Sequence, residues 1–297
     1  MGIRRIRKLI TMGIFSFLFS MGSYEILNFP SDARSLAMSN AASVNDFHIL
    51  RNNPAALNNN QSSFSYSYFI LPANIQYGMI QVSYKINNYI IANKIALINY
   101  GKLTDGETNE IHSASDILFT TGFKCKYKHI SSFGISLNYL ISSIKNFNSN
   151  IICLNIGFKS KINNNRFGFG GSLENIKIKS NAYFNYMDIP PTIFRNSLYY
   201  KPLYLPATLN FEMKKIYNNQ KAQYTLAIES IPINNIIIRL GTGWSTVNEF
   251  NKLFNNIINN YSFGIGLDFK KIGLDLGFKN LHSTSYIVGF SINKKIN

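Results

Sequence analysis

Acidic residues are scarce in this chain of 297 residues: 14 Asp and Glu stand against 30 Lys and Arg, and charged residues make only 15% of the whole. A soluble domain carries about 25%. Cysteine is nearly absent. Two residues, Cys125 and Cys153, exclude a disulfide-stapled scaffold and leave no recognisable metal spacing with the four scattered histidines. Beyond the first twenty residues no unbroken apolar run reaches the roughly 18 residues of a membrane-spanning helix, so a helical membrane bundle is excluded. What is abundant is aromatic: 23 Phe and 18 Tyr, against a single Trp. That content, with so little charge, excludes intrinsic disorder. The net charge of +16 raises nucleic acid as a partner. The lysines, however, are dispersed among Asn and Ile rather than gathered on one arm, as biased base composition alone would place them. No nucleic-acid role is expected.

The N-terminus reads as an export signal. Arg4, Arg5, Arg7 and Lys8 form a positive region, Leu9 to Phe19 an apolar one, and Ser20-Met21-Gly22 a small-x-small cleavage site. Cleavage after Gly22 removes four cations and no acid, which takes the net charge from +16 to +12. The apolar run is too short and too rich in Ser for an anchor.

From Gln61 onward the dominant period is two. Phe64, Tyr66, Tyr68 and Ile70 alternate with serines; Phe133, Ile135, Leu137 and Tyr139 alternate with Gly134, Ser136 and Asn138; Tyr261 to Phe269 and Ile272 to Phe278 alternate with Gly, Ser and Asp. Weaker runs near 89–99, 116–128, 150–160, 166–178, 204–214, 222–231 and 236–244 bring the total to about thirteen strands. A fourteenth is possible between Asn181 and Tyr200. Turn residues punctuate them at 87–88, 129–130, 163–165, 218–219, 234–235 and 270–271. Longer loops are expected at 101–115, 180–203 and 246–260, and the last strand is expected to end near Ile292. Many runs reach 9–11 residues, the length that crosses a bilayer at a tilt, where soluble strands average 5–6. One face is Phe, Tyr, Ile and Leu with almost no charge. The other carries Gly, Ser and Asn with Lys124, Lys126, Glu229, Arg239, Asp268 and Asp275. A hydrated lumen accommodates such charges and lipid suits the apolar face. The expected fold is all-β: a transmembrane antiparallel β-barrel of the bacterial outer membrane, most simply with 14 strands. On this reading Cys125 and Cys153 point to opposite faces and do not pair.

Residues 23–60 do not alternate. Small residues (Ala33, Ser35, Ala37, Ser39, Ala41, Ala42, Ser43) suit short, tightly packed helices, and Asn53-Pro54 suits a sharp exit into the first strand. The expected organisation is a signal peptide over 1–22, a plug over 23–60 and a barrel over 61–297. Arg34 inside a barrel needs a counter-charge, and Glu229, Asp268 and Asp275 are the inward candidates.

This segment resembles the start of the PorV/PorQ family, relatives of the FadL-type outer-membrane barrels. Pro30, Ala33-Arg34, Met38, Ala41, Asp46 and Asn53-Pro54-Ala55-Ala56-Leu57 match the family pattern in order and spacing; Ser39-Asn40 stand where the family has a Gly pair, Asn45 where it has an acid, and Ala56 where it has Gly. Asn99 to Leu103, Asp105-Gly106-Glu107 and Ser113 to Asp116 look like PorQ-type sequences. The resemblance implies an accessory of type IX protein secretion that delivers or attaches exported proteins at the cell surface, with outer-membrane lipid, secretion components or exported cargo as partners. The related FadL-type barrels imply the alternative, a transport barrel for a hydrophobic small molecule.

Enzyme signatures are missing: there is no G-x-S-x-G, H-E-x-x-H or P-loop, and Gly-x-Gly at 168–171, 241–243 and 264–266 lies inside strands with no helix following. No enzyme activity and no cofactor are expected. The candidate functional residues are Pro30, Arg34, Met38, Asp46, Asn53 and Pro54 in the plug, together with the six lumen charges.

Overall fold

The computed structural model describes residues 24–41, 44–45, 48–50, 52–58, 61–104, 110–127, 130–145, 147–162, 164–181, 190–217, 219, 221–245, 260–282 and 285–296. The expected signal peptide and Asp46 lie outside these residues. Fourteen strands follow in chain order: β1 Ser62–Ile70, β2 Gln76–Ile86, β3 Tyr89–Thr104, β4 Ile111–Tyr127, β5 Ser131–Ile144, β6 Phe147–Ile162, β7 Phe167–Asn181, β8 Ile193–Tyr200, β9 Ala207–Ile216, β10 Ala222–Ile233, β11 Ile236–Ser245, β12 Tyr261–Asp268, β13 Ile272–His282 and β14 Ser285–Ile296. Each pairs antiparallel with the next, and β1 pairs with β14 to close the barrel. Closure leaves no unpaired edge, which is what a sheet in lipid requires.

The alternation of the sequence becomes two faces. Ser63, Ser65, Ser67 and Phe69 of β1 are buried inward, while Phe64 and Ile70 are exposed. On β12, Ser262, Gly264 and Gly266 point in and Phe263, Ile265 and Leu267 point out. Neighbouring outward rings stack across strands, as in Tyr89 with Phe123 at 5.5 Å and Phe263 with Phe278 at 4.9 Å. This apolar surface is the lipid face.

Three boundaries differ from expectation. The fourteenth strand is β8, inside what reads as one long loop over 180–203; the connections there reduce to 182–192 and 201–206. Strands β3 and β4 run well past Asn99 and Asp116, so the 101–115 loop shrinks to 105–110. The last strand continues to Ile296 because Ile292, Lys294 and Ile296 pair with β1 all the way to Ser62. Strand β7 also breaks register twice against β6, with Asn175 at φ 56° and its amide donating to Asn155 Oδ1 at 2.7 Å.

The two ends of the barrel are unlike. The end holding Ser62 and Ile296 also holds the short connections 87–88, 128–130, 163–166, 201–206, 234–235 and 269–271. The opposite end holds the longer ones, 182–192 and 246–260. The connection at 218–219 belongs to this loop-bearing end. Barrels of this kind keep short turns on the periplasmic side. Asn at left-handed φ makes three of the short turns, with Asn87 at 53°, Asn164 and Asn165 at 52° and 66°, and Asn235 at 73°.

Candidate functional site: the lumen and its N-terminal segment

The segment before β1 lies against the inward faces of the strands. Among its described residues the one α-helix, α1 (Ala33–Ala37), has five residues, too few to stand alone in water. It is capped locally and held by the wall. Asp32 accepts from the Ser35 amide at 2.7 Å and the Asp32 amide donates to Ser35 Oγ. The Ala33 amide donates to Ser291 Oγ at 2.8 Å, and Ser262 Oγ donates to the Ala37 carbonyl at 2.8 Å. Backbone comes so close to the strands that inward glycines are required. A Cβ on Gly277 would overlap the Ala33 carbonyl, one on Gly241 would lie 2.6 Å from the Met38 carbonyl carbon, and one on Gly264 would lie 2.5 Å from the Ala37 Cβ. Relief of crowding is therefore the role of Gly241 and Gly264 in the Gly-x-Gly runs.

Arg34 projects from α1 into an ion-pair chain. Its Nε and Nη2 donate to the two carboxylate oxygens of Glu229, both at 2.7 Å. The same carboxylate accepts from Arg239 Nε at 2.7 Å, and Arg239 Nη1 donates to Asp275 Oδ1 at 2.6 Å. Burial by itself would depress the Arg34 pKa; attraction to Glu229 outweighs it and holds the guanidinium above its ordinary value. These groups border a cavity of about 170 Å³ that Asp32, His48, Asp268 and Lys295 also line, toward the short-turn end. Burial, then the nearby Arg34 and Lys295 cations, lowers the His48 pKa to about 4.

Further along, Gln81 clamps the segment twice, accepting from the Leu50 amide at 2.6 Å and donating to the His48 carbonyl at 2.9 Å. Lys94 Nζ donates to the Leu50 carbonyl at 3.1 Å and Lys124 Nζ to the Leu57 carbonyl. Asn53 caps a 3₁₀ turn over Pro54–Ala56, accepting from the Ala55 amide at 3.0 Å, while its Nδ2 donates to the Phe158 carbonyl at 3.2 Å. Gly134 and Gly157 leave the room that Pro54 and Asn53 fill.

Toward the loop-bearing end, the wall made by β14 and β1 to β6 carries an apolar patch. Phe69, Tyr77, Met79, Ile98, Leu118, Leu140, Ile151 and Ile287 face inward and pack on Tyr24, Ile26 and Leu27, with Phe29 beside them. The Phe29 ring lies 4.8 Å from that of Tyr77 and 5.6 Å from that of Phe69. Cys153, assigned from its alternation to the polar face, is fully buried in this cluster, and both cysteines are free. Opposite, Arg195 is bound by Glu174 through Nε at 2.7 Å and by Glu212 through Nη1, with Ser172 and Ser197 donating to the same carboxylates.

Of the residues singled out from sequence, Arg34, Glu229, Arg239 and Asp275 come together in one network. Lys124, Asn53 and Pro54 meet at the end of the N-terminal segment. Met38 and Pro30 are buried packing residues. Lys126 and Asp268 lie at the rim rather than deep in the lumen; Asp268 is half-exposed and 3.4 Å from Lys295. Sequence reasoning passed over the apolar chamber and the Glu174–Arg195–Glu212 cluster. The chamber had a signal: at 95–98, 117–119 and 139–141 alternation gives way to continuous apolar residues, so both faces are apolar there.

Similar barrels exist among solved structures. The Pseudomonas putida toluene transporter TodX aligns over 90% of this chain and 98% of its own, at a TM-score of 0.67 and 10% identity. CymD, a monoaromatic hydrocarbon channel, aligns over 90% and 98%, at 0.69 and 11%. A Pseudomonas aeruginosa FadL homologue aligns over 91% and 99%, at 0.59 and 10%. The fold is shared with outer-membrane hydrocarbon channels. At this identity the likeness concerns fold alone. With the lipid-facing surface and closed topology it makes the chain a bacterial outer-membrane barrel. No protein-family model and no curated protein matches the chain, so the resemblance to the PorV/PorQ family finds no support here.

Proposed function

We propose that this barrel transports a hydrophobic small molecule across the outer membrane, with residues 23–60 as its plug. The apolar chamber carries the reading. Barrels that pass water-soluble solutes have polar interiors. Here eight inward apolar side chains from seven strands converge on one volume, in which Tyr24, Ile26, Leu27 and Phe29 sit. A chamber that accepts the chain's own apolar residues offers the same surroundings to a free apolar molecule once those residues withdraw. Fold likeness to channels whose names specify toluene and monoaromatic hydrocarbons favours this reading over an accessory of type IX secretion. The latter rests on sequence resemblance alone, in the motif around Arg34 and Asn53 and the stretch from Asn99 to Asp116. Neither reading requires catalysis.

The test is saturable binding of a fluorescent apolar aromatic probe to the full-length protein in detergent, with toluene as competitor. Binding is expected, tighter when residues 24–29 are removed, and weakened about tenfold or more by Leu118→Glu, which places a charge in the chamber. Absence of saturable binding in both the intact and the shortened protein, each shown to be folded, sinks the proposal. Crosslinking from the loops at 105–110 and 246–260 in native membranes addresses the other reading, which gains if secretion components or exported cargo are recovered.

A further inference from the structure

Of the seven strands that run toward the short-turn end, five end their inward rows in lysine; β10 ends in Ile231 and Ile233 and β12 in Asp268. On β2 the buried row Tyr77, Met79, Gln81, Ser83 terminates in Lys85; on β4 the row through Thr120, Gly122 and Lys124 terminates in Lys126. The rows of β6, β8 and β14 end in Lys161, Lys201 and Lys295. Each of these lysines stands at the short-turn mouth of the lumen, and each neighbours an outward Tyr or Ile: Tyr84, Tyr127, Ile162, Tyr200 and Ile296. Lys201 extends over the Tyr199 ring at 5.5 Å. The turn Lys270-Lys271 adds two more cations between β12 and β13. Among the described residues of this mouth Asp268 is the one acid, and Lys295 pairs with it. The connecting sequences at 128–129 and 163 contain no acid either.

We propose that this mouth is a docking site for an acidic polypeptide segment of a partner protein on the periplasmic side. Dispersed lysines would divide between inward and outward rows at the strand ends. Instead, on five strands the inward row ends in lysine; the lipid-facing row beside it is aromatic or aliphatic on β2, β4, β6 and β8, and on β14 it carries Lys294 before Ile296. A lipid headgroup annulus would be met by the outward row, which holds only Lys294 against five inward lysines on these strands, so an anionic partner over the lumen fits this placement better than anionic lipid. A ring of ammonium groups around a lumen mouth concentrates positive potential over the opening, where it steers and orients an anionic partner. Lysine, a compact point charge on a flexible stem, suits carboxylates presented in varied geometry by an extended chain. This inference stands apart from the transport reading, which concerns the opposite half of the lumen.

The experiment uses the full-length protein in nanodiscs of zwitterionic phospholipid and a short fluorescent poly-glutamate peptide as probe. Binding is expected at low ionic strength and is expected to fall as salt rises. The variant Lys85→Gln/Lys126→Gln/Lys161→Gln/Lys201→Gln should bind about tenfold or more weakly, while Lys102→Gln/Lys221→Gln at the loop-bearing end should bind as the native protein does. Should the fourfold variant fail to fold, Lys126→Gln/Lys201→Gln replaces it and should lose about threefold. Equal affinity of native and lysine-poor mouths overturns the proposal. So does equal loss in the control, or tighter capture of anionic-lipid vesicles or single-stranded DNA than of the peptide.

Discussion

At the scale of single residues, one carboxylate organises the cavity below α1. Glu229 accepts from both Arg34 and Arg239, whereas Arg239 retains Asp275 if Glu229 is lost. The two truncations are therefore unequal. Arg34→Ala leaves Glu229 paired to Arg239, and the expected loss is about 1–3 kcal/mol, in the range of a charged hydrogen bond. Glu229→Ala leaves Arg34 inside the lumen without its bidentate partner, and the expected loss is larger, about 3–5 kcal/mol. Urea unfolding of the refolded proteins measures both, and a reversed order would show that Arg34 is held by something other than Glu229. His48 adds a pH dependence. Its pKa falls from an ordinary 6.5 to about 4 where the segment is docked. Between those values the released segment binds a proton that the docked one does not, so docking weakens as pH falls through 6.5 and stops weakening below about 4. Limited proteolysis of the segment should thus quicken between pH 7.5 and pH 5. His48→Gln should flatten that difference; an unchanged pH profile in the variant would remove His48 as its source.

At the scale of elements, wall and segment make different demands on adjacent residues. Ile265 points to lipid from the middle of β12, and Gly264 faces α1. Ile265→Arg should cost about 2–4 kcal/mol on folding into lipid vesicles while leaving the segment protected from protease. Gly264→Arg should expose the segment, because its side chain needs the volume that Ala37 occupies. Equal behaviour of the two variants in both assays would contradict the assigned faces. The strands were legible because a closed barrel in lipid enforces period two along its whole height, and serine-aromatic alternation such as that of β1 has no other economical use. Strand β8 was legible only as a possible fourteenth strand between Asn181 and Tyr200: its inward row mixes Ile193, Arg195, Ser197 and Tyr199, its outward row holds Asn196, and neither face reads as uniform. The ion pair between Arg34 and Glu229 spans 195 residues of sequence. Charge logic narrowed its partner to three inward acids, and only the register of the fourteen strands selects among them. The chamber escaped because an inward row reads as polar throughout, whereas on β14 and β1 to β6 an apolar belt interrupts the polar inward face.

At the scale of the whole molecule, the barrel and the segment within it are one packing problem. The mature chain is expected to begin after Gly22, which N-terminal sequencing decides; a chain still starting at Met1 would leave its export without a signal. Besides the apolar packing of Tyr24, Ile26, Leu27 and Phe29 and the Asn45–Asn210 hydrogen bond, the segment then reaches the lumen with three attachments: α1 on the glycines of β11 to β13, the Gln81 and Lys94 contacts at Leu50, and the Asn53–Leu57 turn on β4 to β6. The last lies outside residues 27–52. Deleting 27–52 therefore removes the Arg34 latch and the backbone that fills the middle of the lumen, yet keeps the turn that leads into β1. If the segment seals the barrel, this deletion should raise single-channel conductance in planar bilayers well above that of the intact protein. Arg34→Ala, which loosens one attachment of three, should produce brief openings rather than a steady open level. The fold must be verified first by heat-dependent migration, since Glu229 and Arg239 lose a neighbour in the deletion. Equal conductance of the intact and deleted proteins, both folded, would mean that the wall's own side chains close the lumen and that the segment has another task.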